Sequence, residues 1–444
     1  MATVASASFE EQVSGLPYAA PLPLMYRVRQ HFHAPVLADL EAAIAEQCRA
    51  LDGKIRPGMR VGLTAGSRGI ANIARILRAV GREVRARGGE PFIIPAMGSH
   101  GGATAEGQTA LLADLGITEA SVEMPIISSM EVREVGQLEG GPRVFVSVTA
   151  LEADGVIVVG RVKPHTDFRG SIESGLAKMC VIGLGKHRGA QEIHSYGTQG
   201  LAYWLPRAAR VIVRHAPVLL GLAILENAYD QTARIVAVTP ADIGGPGEEA
   251  LLQEARGLMA SLPFDQFDVL VVDEMGKNIS GTGMDTNIIG RMMIQGVPEF
   301  DRPRIKTIAV LDLTDAAHGN AAGIGLADVT TLRVYRKIDF RATYINGLTS
   351  GIGGVQRVKL PIVAPTDRDA IAAAILTCGR ADATQVQLVR IKNTLELHEI
   401  LISEALVPQA RHLPHLEIIS GPEPFEFDAE GKLRPFALEP VRHG

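Results

Sequence analysis

Cysteine is scarce in this sequence: three in 444 residues, Cys48, Cys180 and Cys378, far apart and with no Cys-x-x-Cys pair. That argues against a disulfide framework and a thiolate-only zinc site, and makes a reducing cytoplasm the expected compartment. Cys180 has apolar neighbours and reads as a small buried hydrophobe. Aromatic residues make up 5% of the chain, with one tryptophan, Trp204, too few for a base-stacking platform. The net charge is only −5, so no polyanion is implied and nucleic acid is not an expected partner. Long apolar runs are missing too. Charge interrupts them well before the roughly 20 residues that span a bilayer, so no membrane partner is expected. The opening MATVASASFEEQ lacks the basic start and apolar core of an export signal.

What is present is a well-cored chain, 46% hydrophobic and 21% charged, long enough for two domains. Strand-like and helix-like segments alternate. MRVGLTAG, PFIIPAMG and ADGVIVVG read as buried strands. LADLEAAIAEQCRAL and AEGQTALLADLG read as helices, and Ile70, Ile73, Ile76, Leu77 and Val80 recur with helical period. MEVREVGQLEGGPRVFVSVTA reads as a β-hairpin turning at Gly-Gly. Three more apolar strands, DVLVVDEMG, RIKTIAVLDLT and TQVQLVRIKN, follow a break in ASLPFDQF. The expected fold class is α/β: two domains with mainly parallel sheets covered by helices, residues 1–263 and 264–444, with the active site in the cleft between them. No repeat, low-complexity tract or heptad pattern occurs.

In open α/β sheets ligands bind beyond the carboxyl ends of the strands. Three glycine-rich loops fall there. LTAGSRGIAN carries Ser67 and Arg68, AMGSHGGAT carries Gly98, His100 and Gly101, and VKPHTDFRGS carries His165. Backbone N–H groups in such loops suit a phosphate or carboxylate. Lys178 lies in the apolar run GLAKMCVIGLG, where an ammonium is costly to bury. His194 follows it by sixteen residues, with Lys186 and His187 between them. In the second domain DEMGKNISGTGMDTNIIGR offers Asp273, Glu274, Lys277, Asn278, Asp285, Asn287 and Arg291. Lys277, Asn278 and Arg291 are the substrate-binding candidates there, because amine, amide and guanidinium groups bind carboxylate and hydroxyls. LDLTDAAHGN, with Asp315 and His318, is a weaker strand-end candidate, and TSGIGGVQR lacks the Lys-Ser/Thr of a phosphate loop.

The ordered set GSHGG, KPHTDF and GLAK followed by a histidine sixteen residues after its lysine resembles the nickel-dependent lactate racemase family, over residues 60 to 200. The resemblance implies a nickel pincer nucleotide, a pyridinium mononucleotide with two thio-acid arms. It implies that Lys178 holds this group covalently and that His194 is the protein's ligand to the metal, with Ser67, Arg68, Gly98 and Gly101 around the cofactor. His100 and His165 would then be the acid/base pair, one on each face of a 2-hydroxy acid carbon. Arg68 would grip the substrate carboxylate. The expected activity is racemisation or epimerisation of a 2-hydroxy acid by proton-coupled hydride transfer, with proteins of cofactor biosynthesis as partners and a homo-oligomer left open. Lys186 and His187 are alternatives to Lys178 and His194.

Departures accompany the resemblance. Ala65 stands where the family has an acid, Ile182 and Gly183 stand where Pro-Gly often follows the lysine, and Trp204 falls in the first domain rather than the second. A substrate pocket different from that for lactate is expected. Two other readings compete. One is a zinc or other divalent-metal hydrolase or lyase with His100, His165 and His194 as ligands. The other is a non-catalytic carrier or scaffold that binds a nucleotide or the pincer cofactor. A nicotinamide-dependent dehydrogenase is disfavoured, because no strand–GxGxxG–helix with a following acid is present.

Overall fold

The computed structural model describes residues 7–14, 16–435 and 437–439. Strand β1 (Met25–Gln30) precedes β2 (Arg60–Ala65), β3 (Glu90–Pro95), β4 (Val132–Gln137), β5 (Arg143–Ser147), β6 (Gly155–Arg161), β7 (Val218–Glu226) and β8 (Thr232–Val238). After these come β9 (Gln266–Val272), β10 (Arg304–Val310), β11 (Val329–Thr331), β12 (Ile362–Ala364), β13 (Leu388–Ile391), β14 (Glu399–Ser403) and β15 (Leu416–Glu423). The chain forms two compact units: His33–Met259, and Met1–Phe32 together with Ala260–Gly444.

The His33–Met259 unit is built on a five-stranded sheet in the order β3-β2-β6-β7-β8. All its pairs are parallel except β7 with β8. The parallel strands are buried on both faces, which is why they read as unbroken apolar runs. In β6, Val156 and Val158 enter one core while Ile157 and Val159 enter the other. The hairpin β4–β5 forms a separate antiparallel pair, as its Gly-Gly turn predicts. From β2 the chain goes first to β3 on one side and later to β6 on the other, so the winding reverses between β2 and β6. There the ladder also opens. Backbone pairing ends at Leu63 and Ile157, and beyond it the Thr64 hydroxyl both donates to Val159 O and accepts from its N–H. A reversal point with parting strands is where an open α/β sheet makes its crevice.

The other unit has an eight-stranded sheet, β12-β11-β10-β9-β13-β14-β1-β15. It is parallel from β12 to β13 and antiparallel beyond. The helix Asp367–Thr377 starts at its Thr366 cap, as PTDRDAIAAAILTCG predicts. Strand β1 differs from the expectation that residues 1–263 form one domain. It pairs with β14 and β15, and Arg27 and Arg29 both close on the buried Glu399, at 2.6 and 2.9 Å. Short-range periodicity does not reveal such a strand, because its partners lie hundreds of residues away. No helix among the described residues is long and apolar enough to cross a membrane.

Candidate functional site

The carboxyl ends of β2, β3 and β6 hand the chain to the three glycine-rich loops. Ser67 and Arg68 follow β2, His100 follows β3, and His165 follows β6, so the sheet carries all three loops on one edge.

The His165 loop is built round a carboxylate. Glu173, 1% exposed, accepts from the backbone N–H of His165 at 2.7 Å and of Gly170 at 3.2 Å. It also pairs with Arg256 at 2.6 Å and Arg169 at 3.4 Å, which balances its buried charge. The imidazole packs on the buried ring of Phe168, with centroids 4.6 Å apart. Its Nδ1 accepts from the backbone N–H of Asp167 at 3.0 Å, and its Nε2 lies 2.6 Å from Lys178 Nζ.

Lys178 stands in the first turn of a helix, Leu176–Lys178, that runs on as a π-helical stretch, Met179–Leu184. The helix crosses the end of β6 closely enough that a Cβ on Gly160 would meet Met179 at 2.7 Å. Its start is held by the buried Glu248, which accepts from Ala177 N–H at 3.1 Å and Gly244 N–H at 2.8 Å. A Cβ on Gly175 would fall 2.3 Å from that carboxylate, so the position suits glycine. Burial pushes the Lys178 amine down to about 8, with Asp167 opposing and Arg68 and Lys163 reinforcing the shift.

His194 ends the helix Lys186–His194 and keeps a solvent-exposed face. Crowding by protein atoms lowers its pKa, the Lys178 amine adds to this, and Asp167 works against it. Burial likewise lowers the Arg68 pKa, with Arg161 adding and Asp167 opposing. Arg161 is itself paired with Glu226. The structure thus brings Arg68, His165, Lys178 and His194 into one electrostatic neighbourhood with Asp167 as its anion. His100 is on the adjacent loop, exposed, its Nδ1 2.8 Å from Met97 O.

Lys186 has a different place. It is 1% exposed and donates to Pro95 O and, at 3.1 Å, to Gln108 Oε1. The Gln108 amide in turn donates to Gly98 O at 3.0 Å and His100 O at 3.4 Å. Lys186 is therefore a buried clamp on the His100 loop, while His187 is exposed. Gly98 and Gly101 also have packing reasons, both having positive φ. A Cβ would meet Ile182 at 3.0 Å from Gly98, and the backbone of Gly107 at 2.5 Å from Gly101.

In the other unit, Lys277 donates to Gly281 O, and Asn278 accepts from the Thr314 hydroxyl at 2.6 Å, beyond the carboxyl end of β9. Arg291 is not gathered with them. Its guanidinium donates to the carbonyls of Ile305, Lys306 and Leu326 and pairs with Asp328 at 2.7 Å, at the amino end of β10. These contacts build its guanidinium into the fold, away from Lys277 and Asn278. Asp273 is closed by Arg390 at 2.7 Å, Glu274 accepts from Asn393 at 3.1 Å, and Asp285 caps Asn287 N–H at 2.9 Å. Asp315 pairs with Lys337 at 3.2 Å, and His318 takes a left-handed turn conformation.

Among the described residues no group of three or more His, Cys, Asp or Glu side chains is placed to hold a metal ion. The three-histidine centre of the hydrolase reading is therefore not assembled. Sequence reasoning missed Asp167, Glu173 and Glu248. Asp167 was within reach, two residues beyond His165, but a charged loop residue carries no special pattern. Glu248 is seventy residues from Lys178 in the chain, and nothing local links them.

Residues 38–200 match the family model described as the lactate racemase N-terminal domain. No curated protein matches the chain. Among solved structures, the lactate racemase apoprotein from Thermoanaerobacterium thermosaccharolyticum has a similar fold, with a TM-score of 0.51 at 11% identity over 83% of this chain and 94% of that one. A protein from Thermotoga maritima matches with a TM-score of 0.49 at 12% identity over 80% of this chain and 96% of that one. The mainly parallel α/β architecture expected from the sequence is the one observed.

Proposed function

We propose that the protein is a racemase or epimerase of a 2-hydroxy acid that works with a nickel pincer nucleotide. The observation that carries the reading is the Lys178 amine, pushed down to about 8 and 2.6 Å from His165, inside the stretch that matches the lactate racemase domain. A lysine with a lowered pKa has a larger uncharged, nucleophilic fraction near neutral pH, as attachment to an acyl or thioacyl arm requires. The donor set fits such a group. A pincer supplies three donors to its own metal, so the protein needs to add one nitrogen, and His194 with its lowered pKa keeps a lone pair for it. When bound, the group supplies a hydride acceptor.

The chain's own residues do the rest. Arg68 binds the substrate carboxylate in a bidentate fork. His165 and His100 each take or return the hydroxyl proton on one face of the reacting carbon, and an imidazole serves in both directions near neutral pH. Ser67 and the backbone of the Gly98–Gly101 loop line the nucleotide.

The test is intact mass and metal content of protein made together with the cofactor-biosynthesis proteins. An adduct of pincer-nucleotide mass on the Lys178 peptide with stoichiometric nickel is expected, followed by racemisation of a 2-hydroxy acid in a substrate screen. An unmodified chain, or a Lys178→Ala variant that still carries the adduct and turns over, overturns the reading.

A further inference from the structure

Lys178 Nζ and His165 Nε2 lie 2.6 Å apart, and the other contact of the imidazole bears on which atom carries which proton. A neutral imidazole has one N–H and one lone pair. The Asp167 backbone N–H donates to His165 Nδ1 at 3.0 Å, so Nδ1 presents its lone pair. Nε2 is then the protonated nitrogen, and toward Lys178 at 2.6 Å it donates. An ammonium has three donors and no acceptor, so a charged Lys178 would set proton against proton. Above about pH 8, where its amine is uncharged, Lys178 meets His165 as a free amine. Its surroundings agree: it is half-buried, desolvation, Arg68 and Lys163 disfavour a charge, and Asp167 is the anion that favours one. Glu173, the other acid of this loop, is committed to two backbone N–H groups and two arginines.

We infer that His165 and Lys178 form a latch: while Lys178 is a free amine, the Nε2–H of His165 is bound to it and withheld from a substrate hydroxyl, and acylation of Lys178 opens the latch. The inference rests on the reading of Lys178 as attachment point and His165 as proton relay. The acylating partner is an activated acyl or thioacyl donor. A bond forms between Nζ and the acyl carbon, the bond from that carbon to the leaving group breaks, and one amine proton departs with the leaving group. The lone pair of the resulting amide nitrogen is delocalised into the carbonyl or thiocarbonyl and no longer accepts. His165 Nε2–H is then released to the substrate. Cofactor loading and the arming of one of the two proton relays are thus a single event.

The test is nuclear magnetic resonance of histidine-¹⁵N-labelled protein at pH 9, above the value of about 8 of the Lys178 amine, with His165 assigned through His165→Gln. In the unmodified chain His165 is expected neutral, bare at Nδ1 and protonated at Nε2, with a proton protected from exchange. After acetylation by N-hydroxysuccinimidyl acetate, with Lys178 modification checked by peptide mass, the tautomer should persist and that proton should exchange about tenfold faster, the scale of one lost hydrogen bond. Lys178→Met, which keeps the side-chain length but has no lone pair of this kind, should give the same release. A cationic or Nδ1-protonated His165 in the unmodified chain overturns the latch. So does exchange unchanged by both acetylation and Lys178→Met. A chain that shows the tautomer and the release yet never takes the nucleotide on Lys178 supports the latch and overturns only the cofactor reading.

Discussion

Glu248 holds the start of the helix on which Lys178 stands, by accepting the backbone N–H of Ala177 at 3.1 Å and of Gly244 at 2.8 Å. A buried carboxylate at a helix start offsets the positive end of the helix and satisfies donors that would otherwise be orphaned. Glu248→Gln keeps the shape but turns one acceptor into a donor facing an N–H. The variant should lose about 1–3 kcal/mol of stability in chemical denaturation, the cost of a buried unsatisfied pair. Unchanged stability would mean the contact is incidental.

Lys186 clamps the His100 loop from the opposite end of the helix that carries His194. Burial pushes its amine down to about 8, against about 10.4 for lysine in an unfolded chain. Below pH 8 both states hold the proton. Between about 8 and 10.4 the unfolded chain holds more protons, so folding stability rises with pH across that window. Wild-type protein should show this rise, at most about 3 kcal/mol from Lys186, and Lys186→Met should flatten it. Urea denaturation at stepped pH measures the difference between the two, and parallel curves would refute the assignment.

His100→Ala and His165→Ala should each lower turnover of the loaded enzyme by about 10²–10⁴-fold, the usual worth of a positioned acid or base. In His100→Ala the nickel and nucleotide content should stay at the wild-type level. Loss of the adduct instead would make His100 a cofactor residue rather than a proton relay.

Arg68→Met should raise KM about 10–100-fold, as expected for a charged hydrogen-bond pair to carboxylate, with a smaller effect on kcat. An unchanged KM would free Arg68 from the substrate role.

Arg291→Met tests the reassignment of that residue. It should lower Tm, because the carbonyls of Ile305, Lys306 and Leu326 lose their donor, and leave KM unchanged. A raised KM at unchanged Tm would restore it to the site.

Much of the site was legible because each signal is local. Apolar runs ending in glycine-rich turns mark strand ends, and a lysine inside GLAKMCVIGLG is conspicuous whatever surrounds it. Lys277, Asn278 and Arg291 lie in one polar, glycine-rich segment, and composition does not say toward which end of a strand a side chain turns. In sequence the sixteen-residue spacing to His194 favours Lys178, with Lys186 as the alternative. Their partners in the fold differ, two acceptors of the fold in one case and an imidazole nitrogen in the other.

The amino-acid sequence by itself determined the α/β class, the strand ends that bear His100, His165 and Arg68, and the spacing of Lys178 and His194, because these follow from short-range periodicity and turn chemistry. The tertiary structure alone decided that β1 joins the carboxyl-terminal sheet, that Glu248 holds the Lys178 helix from seventy residues away, and that Lys178 Nζ meets His165 Nε2. Those outcomes depend on which donor meets which acceptor across the folded chain, and a hydrogen bond between distant residues leaves no period to read.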